Sequence, residues 1–469
     1  MQKPTKTILS LSALALAAAS ASACAEDAGP RAEPREELAG GDTTIFDTSQ
    51  NAFTLPARNL DFDQRQHFAV GNSFFNKNWV TAPSSTAGRD GLGPTFNARS
   101  CSACHLFDGR GRPPMAADEP LLGLLFRLSV PGVGEHGGVV GDPSYGDQLQ
   151  PYAIEGVPGE GSVAITYEEI AGSFADGEAY SLRRPSYAFV ELAFGPMDPA
   201  IQVSPRVAPA MIGMGLLAAI PEAAIVAGAD PDDGDGDGIS GRPNHVWDVA
   251  SGAMRLGRLG WKANQPSVRQ QVAGAFLGDV GITSSLFPGG NCPAPQVECA
   301  GAPEGGAPEL DEGLLDDVAF YSATLAVPAR RDVDAPEVLR GKAIFGEIGC
   351  ASCHVPRWQT GSDGGGIAEL ADQTIWPYTD LLLHDMGEAL ADGRPDFEAD
   401  GREWRTPPLW GIGLVEVVNG HTNFLHDGRA RDLKEAILWH DGEGAGARDG
   451  FVALGREDRE DLLRFLGSL

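Results

Sequence analysis

Cys101-Ser-Ala-Cys104-His105 and Cys350-Ala-Ser-Cys353-His354 decide how this chain is read. Each is a C-x-x-C-H pentapeptide, the spacing at which a c-type haem is attached. The three-residue step sets both sulfurs on one side of a helical turn, where they add across the haem vinyl groups. The adjacent histidine then points at the iron as its proximal ligand. Zinc half-sites would need further Cys or His clustered nearby, and the sequence around these motifs has none. A pair of redox dithiols is the other reading of the cysteines. Two complete pentapeptides in a chain with seven cysteines favour two covalent haems.

The remaining cysteines fit an exported protein. Lys3 and Lys6, the apolar stretch from Ile8 to Ala19 and the small residues Ala21-Ser22-Ala23 read as a signal peptide over residues 1–23. Cys24 follows directly and would carry a lipid, although Ala21 stands where a large aliphatic residue is usual; plain secretion is the alternative. Cys292 and Cys299 lie in a proline-rich loop and are expected to form a disulfide. The formal charge of −30 repels nucleic acid and anionic membrane and suits a small basic electron carrier, or simply keeps the protein soluble. Contact with a membrane is expected only through the lipid on Cys24.

Composition divides the chain. Residues 24–54 are polar and acidic and read as a disordered tether. A first haem domain is expected over 55–328 and a C-terminal cytochrome c domain over 329–469. The junction is the polar, proline-containing run from Val327 to Pro336. A weak repeat supports the division: Gly71-x-x-x-Phe75 precedes the first haem motif and Gly341-x-x-x-Phe345 the second. The glycine lets a helix approach a neighbour, and the aromatic one turn later can lie against the haem. Periodicity predicts a helix over 431–439, with Leu433, Ala436 and Ile437 on one face, and another over 458–469. With 61 glycines and 34 prolines, the expected fold is mainly α: two cytochrome c-like haem domains with long loops and little β structure.

Asp233-Gly-Asp235-Gly-Asp237-Gly238 matches the first half of a calcium loop, with oxygens at positions one, three and five and glycine at six. The twelfth position is Asn244 rather than Glu, so the loop is not a complete EF-hand. Three close carboxylates favour a bound calcium; a solvated acidic turn is the alternative.

The chain resembles the bacterial di-haem cytochrome c peroxidase superfamily, and more closely its di-haem oxidoreductase branch. The motifs that carry the resemblance are Gly91-Leu-Gly-Pro-Thr-Phe-Asn97, Gly238-Ile-Ser-Gly-Arg242 and Leu381-Leu-Leu-His-Asp-Met-Gly387. Glu403-Trp-Arg-Thr-Pro-Pro408 and Phe424-Leu-His-Asp-Gly428 complete the set. The resemblance implies helical cytochrome c domains that face each other, one haem accepting electrons and the other meeting the oxidant. It implies a sixth iron ligand at His440 for the second haem, where peroxidase relatives carry a methionine; Met386, His384 and His426 are its rivals. For the first haem, Met211 and Met214 are candidates, and an open iron is the alternative. The resemblance also implies that Trp261 lies between the haems and that Gln271, ten residues on, lines the distal pocket. Asp279 would move a proton where relatives carry a glutamate.

Three functions follow from these expectations. One is an enzyme that takes electrons from a small redox protein or a quinol-linked donor and reduces a small-molecule oxidant such as peroxide. The second is a pure electron relay with both irons closed. The third is an oxygenase acting on an apolar substrate, as in related rubber-cleaving di-haem enzymes. The expected location is the periplasm or the outer membrane.

The paired motifs predict two covalent haems per chain. After acid–organic extraction, a pyridine haemochrome titration should still return two haems; one haem would refute the two-site reading.

Overall fold

Two helix crossings frame the molecule, and each is made possible by a glycine. The helix Phe62–Asn76 crosses Glu312–Thr324 at Gly71, where a Cβ would stand 2.2 Å from the carbonyl oxygen of Asp317. The helix Pro336–Glu347 crosses Arg456–Ser468 at Gly341, where a Cβ would stand 2.0 Å from the carbonyl oxygen of Asp461. Any larger residue would push the paired helices apart. Local sequence starts these helices cleanly. Asp61 and Gln64 form a capping box at the first, and Pro336 occupies the opening turn of the other.

One turn after each glycine, a buried phenylalanine seals the crossing. Phe75 lies 5.2 Å from the Tyr321 ring and Phe345 lies 5.2 Å from the Phe465 ring. The Gly-x-x-x-Phe repeat therefore marks equivalent helices in the two halves.

The computed structural model describes residue 1 and residues 31–86, 88–116 and 118–469. The signal peptide expected over residues 1–23, apart from residue 1, and the lipid expected on Cys24 fall outside the described residues. Among the described residues, no helix is long and apolar enough to cross a membrane.

The strand content departs from the expectation of little β structure. The fold is mixed, with 30% helix and 17% strand. Among the described residues its sheets are all two-stranded and antiparallel. The longest is the hairpin of Ser162–Ser173 and Ala179–Val190, in register from Ser162 opposite Val190 to Ser173 opposite Ala179. β-branched and aromatic residues favour these strands, but charges on both faces blur the alternation that would reveal them.

This hairpin clasps the C-terminal half. Ala175 donates its N–H to the Val452 carbonyl at 3.0 Å. Arg459 reaches both Asp176 and Glu178 at 2.9 Å. The Tyr187 hydroxyl donates to Asp427 at 3.0 Å, and Arg183 donates to the Arg429 carbonyl at 2.9 Å.

The tether expected over 24–54 is corrected from residue 31 onward. Ala52 and Phe53 are buried, and so is Glu36, whose carboxylate meets Arg330 and accepts from Lys342 and the Tyr378 hydroxyl. A local reading of an acidic segment cannot see a cation that lies almost three hundred residues away. The disulfide between Cys292 and Cys299 is formed as expected.

Lys262 is a second long-range anchor. Its ammonium is fully buried and donates to Asp392 at 2.8 Å and to the Arg394 and Asp400 carbonyls at 2.7 Å. Replacing it with Met would leave the Asp392 carboxylate buried without a counter-charge. Lys262→Met should cost about 3–5 kcal/mol of stability. The check is a fall in the denaturant midpoint; an unchanged midpoint would show that Asp392 finds another partner.

Candidate functional site

The two C-x-x-C-H motifs open on one cavity of about 1000 Å³. That is the upper end of the roughly 300–1,000 Å³ usual for small-molecule sites. Each motif forms a single 3₁₀ turn, Cys101–Ala103 and Cys350–Ser352, with its histidine just beyond. The Phe75 ring lies 6.1 Å from His105, and the Phe345 ring lies 6.2 Å from His354. The helix crossings thus set the back wall of each niche. The four thiols are not disulfide-bonded. Burial pushes the Cys104 and Cys350 thiols up to about 12, so they stay neutral; the charge of Asp279 adds to the effect at Cys104.

The histidines present a defined face. His105 Nδ1 lies 2.8 Å from the Pro209 carbonyl and His354 Nδ1 lies 2.9 Å from the Tyr378 carbonyl. A carbonyl only accepts, so Nδ1 carries the proton and Nε2 keeps its lone pair. Burial lowers both imidazoles to about 4, which keeps them neutral near pH 7. Neutral thiols paired with a histidine whose Nε2 is free are the donor set a c-type haem needs, and both niches fit that group.

His440 repeats the pattern. Its Nδ1 lies 2.8 Å from the Ala436 carbonyl, and its ring lines the same cavity. It follows the helix Leu433–Leu438, which Asp432 caps by accepting from the Glu435 N–H. Leu433, Ala436 and Ile437 line the cavity, as their shared face predicts. Met386 reaches the same place, because a Cβ on Gly444 would meet both its Cε and the His440 ring at 3.1 Å.

His384 is different. Its Nε2 lies 2.7 Å from Asp380 and its Nδ1 lies 2.6 Å from Glu443. Burial disfavours its charge, but hydrogen bonds to Asp380, Cys353 and Glu443 prevail and raise it to about 12. A doubly protonated imidazole has no lone pair for iron. His426 stacks on Trp404 with ring centroids 3.8 Å apart and an interplanar angle of 12°.

At the first niche, Asp279 sits on the turn Phe276–Val280, which continues the helix Val268–Ala275. The Asp279 carbonyl accepts from the N–H groups of Asn97 and Ala98, and its carboxylate accepts from Gln148 Nε2 at 2.8 Å. Burial raises its pKa, against the pull of Arg127 and the Gln148 hydrogen bond. Gln271 lines the cavity, and its amide has no hydrogen-bond partner among the described residues. Met211 and Met214 are buried in the same wall.

Trp261 stands where the two halves meet. Its Nε1 donates to the Val207 carbonyl at 2.8 Å, its own carbonyl accepts from Arg405 N–H at 2.9 Å, and the Arg110 guanidinium lies 5.2 Å over its ring.

The acidic loop is rearranged relative to the expectation. Carboxylates of Asp230, Asp233 and Asp235 converge within 4.8 Å. Asp237 instead accepts from the Ile239 N–H within its own turn. Asn244 is buried elsewhere, donating to the Lys262 and Asp396 carbonyls and accepting from Glu398 N–H, so it is no ligand of this loop. Asp230 was missed because it precedes the loop motif. The loop is also tied to the second niche. Ser240 donates its N–H at 3.1 Å and its hydroxyl at 2.6 Å to Glu443, the residue that holds His384.

The family described as "Di-haem oxidoreductase, putative peroxidase" matches residues 35–124 and 150–469. No curated protein matches the chain. A solved structure of hydrazine synthase from Kuenenia stuttgartiensis, pressurised with xenon, aligns over 88% of this chain and 94% of its own. With 14% identity and a TM-score of 0.34, it supports no argument about this site.

The geometry makes the histidine roles separable. His354→Gly should detach iron ligation at the second niche and leave the first haem spectrum intact, read by absorption and magnetic circular dichroism. Equal disturbance of both haems would mean that the niches are not independent.

Proposed function

Because the chain belongs to the di-haem oxidoreductase family, we propose that it is an exported enzyme that draws electrons through one covalently held haem and reduces peroxide, or a similar oxidant, at the other. The haems are held at Cys101, Cys104 and His105 and at Cys350, Cys353 and His354. Bound there, they supply one-electron transfer and, at an iron with an open position, cleavage of the oxidant's oxygen–oxygen bond.

The observation that carries this reading is the asymmetry between the niches. At the second, His440 offers a neutral Nε2 from a tautomer fixed by the Ala436 carbonyl, and it would hold the iron of a haem bound there, with Met386 as its rival. His–His ligation would make this iron lower in potential than His–Met ligation. At the first, the groups at the cavity wall suit an incoming oxidant rather than a permanent ligand. The unpartnered Gln271 amide donates to the bound oxidant and orients it. Asp279 takes the proton from one oxygen and returns it to the other, with Gln148 holding its carboxylate in place. Its raised pKa narrows the gap to neutral pH, which favours both halves of that transfer. Trp261 fills the space between the halves.

The donor is a small redox protein or a quinol-linked carrier, and the enzyme works in the periplasm or on the outer membrane. Asp230, Asp233 and Asp235 hold a calcium ion that neutralises the loop docked on Glu443.

Three outcomes test the assignment. Asp279→Asn should slow peroxide turnover by about 10²–10⁴-fold with both haems still bound and reducible, the range typical of losing a general acid–base group. His440→Ala should turn the second haem high-spin while the first still binds peroxide. An unchanged low-spin spectrum would pass the ligand role to Met386. If both irons refuse cyanide and peroxide in every redox state, the protein is a relay and not an enzyme.

The calcium reading has its own check. Melting temperature should rise with calcium after full chelation, in proportion to the logarithm of its concentration. Indifference to calcium would make the loop a solvated turn.

A further inference from the structure

Five arginines line the cavity: Arg110, Arg127, Arg206, Arg405 and Arg448. Three have carboxylate partners. Arg127 meets Asp147 at 3.2 Å, Arg206 meets Asp396 at 2.9 Å, and Arg448 meets Asp441 at 3.0 Å. Arg110 and Arg405 have none within ion-pair distance among the described residues. Arg405 is 7% exposed. It donates from Nε to the Gly260 carbonyl at 2.8 Å and from Nη1 to the Thr406 carbonyl at 3.2 Å. Arg110 donates from Nε to the Asn423 carbonyl at 2.8 Å and from Nη2 to the Leu425 carbonyl. Arg110 is partly buried and lines the cavity.

Carbonyls satisfy the hydrogens of a guanidinium but not its charge. A buried cation without a counter-ion is costly, so such groups are retained where an anion meets them. Burial lowers both side chains to about 10, with Asp380 too far from Arg405, and Asp427 too far from Arg110, to offset it by contact. Each guanidinium also keeps one nitrogen, Nη2 of Arg405 and Nη1 of Arg110, free of any protein partner among the described residues.

Both arginines cross the junction between the halves. Arg110 follows His105 by five positions yet bonds to the 423–425 segment. Arg405 belongs to the C-terminal half yet bonds to Gly260, beside Trp261. Both arginines line the cavity onto which the two haem niches open. The anion that this reading of the cavity brings there is the carboxylate of a haem side chain. We propose that Arg405 and Arg110 bind haem propionates and fix the charge of those propionates at the junction between the two niches. The proposal rests on the two-haem reading above. The free nitrogen of each guanidinium can donate a charge-assisted hydrogen bond to a carboxylate, which explains why two arginines stand here without a protein carboxylate.

The test is a redox titration of the holoprotein, followed optically for each haem from pH 5 to 9. The variants are Arg405→Gln, Arg405→Lys, Arg110→Gln and Arg110→Lys, and Arg184→Gln on the hairpin serves as the control for net charge. A cation beside a haem favours the reduced iron, so each Gln variant should lower the midpoint potential of a haem relative to the control. The freed propionate should also titrate at a higher pH, because the guanidinium no longer holds it ionised. The midpoint of that haem should then fall as pH rises through the neutral range, where the unaltered protein stays flatter. The Lys variants should show a smaller shift of the same sign. If the Gln variants fail to fold, the Lys variants decide. Unchanged potentials and pH profiles, with two haems attached, overturn the proposal. Fewer than two covalent haems in the unaltered protein would instead overturn the attachment reading.

Discussion

Each half of this protein depends on the absence of one methyl group. At Gly71 and Gly341 a helix passes so close to its partner that even an alanine Cβ would sit 2.2 Å and 2.0 Å from a backbone oxygen. That contact fixes the separation of the helices, the separation fixes the phenylalanine one turn later, and the phenylalanine backs the imidazole that faces the cavity. Interiors are close-packed, so a displacement at the crossing would be transmitted rather than absorbed. The position of each histidine is in this sense decided two elements away from it.

Orientation is decided by backbone carbonyls. Pro209, Tyr378 and Ala436 each hold the Nδ1 of a cavity histidine, and each thereby leaves Nε2 as the free donor. His384 shows what happens when carboxylates take that place: both nitrogens are protonated and the ring becomes a cation beside Cys353. The same residue type thus fills opposite roles within one cavity, and the difference lies wholly in the acceptor.

Much of this was legible in the sequence because it is local. The C-x-x-C-H spacing, the Gly-x-x-x-Phe repeat and the disulfide between Cys292 and Cys299 are written within a few residues of one another, as are the helices after Asp432 and before the C-terminus. What stayed hidden depends on distant partners. Glu36 is part of an acidic run until Arg330 is placed against it, and Asn244 is a calcium-loop residue until Lys262 claims its amide. The burial of Arg405 and the place of Arg110 in the cavity wall have no local signature in the sequence. The long hairpin escaped notice because its strands carry charges on both faces.

The hairpin's grip on the C-terminal half bears on the order in which the protein must be made. Residues from Phe75 to Leu466 wall a single cavity, and the clasp holds its two sides together through Arg459, Tyr187 and Ala175. On the proposed two-haem reading, ligation would be the work of a still-open chain, with the thiols of both pentapeptides accessible to whatever machinery joins them to their porphyrins. Collapse would then follow around cargo already in place. Biogenesis of this chain would be gated by cofactor supply, and a polypeptide that missed its loading step would lack the filling around which its two halves close.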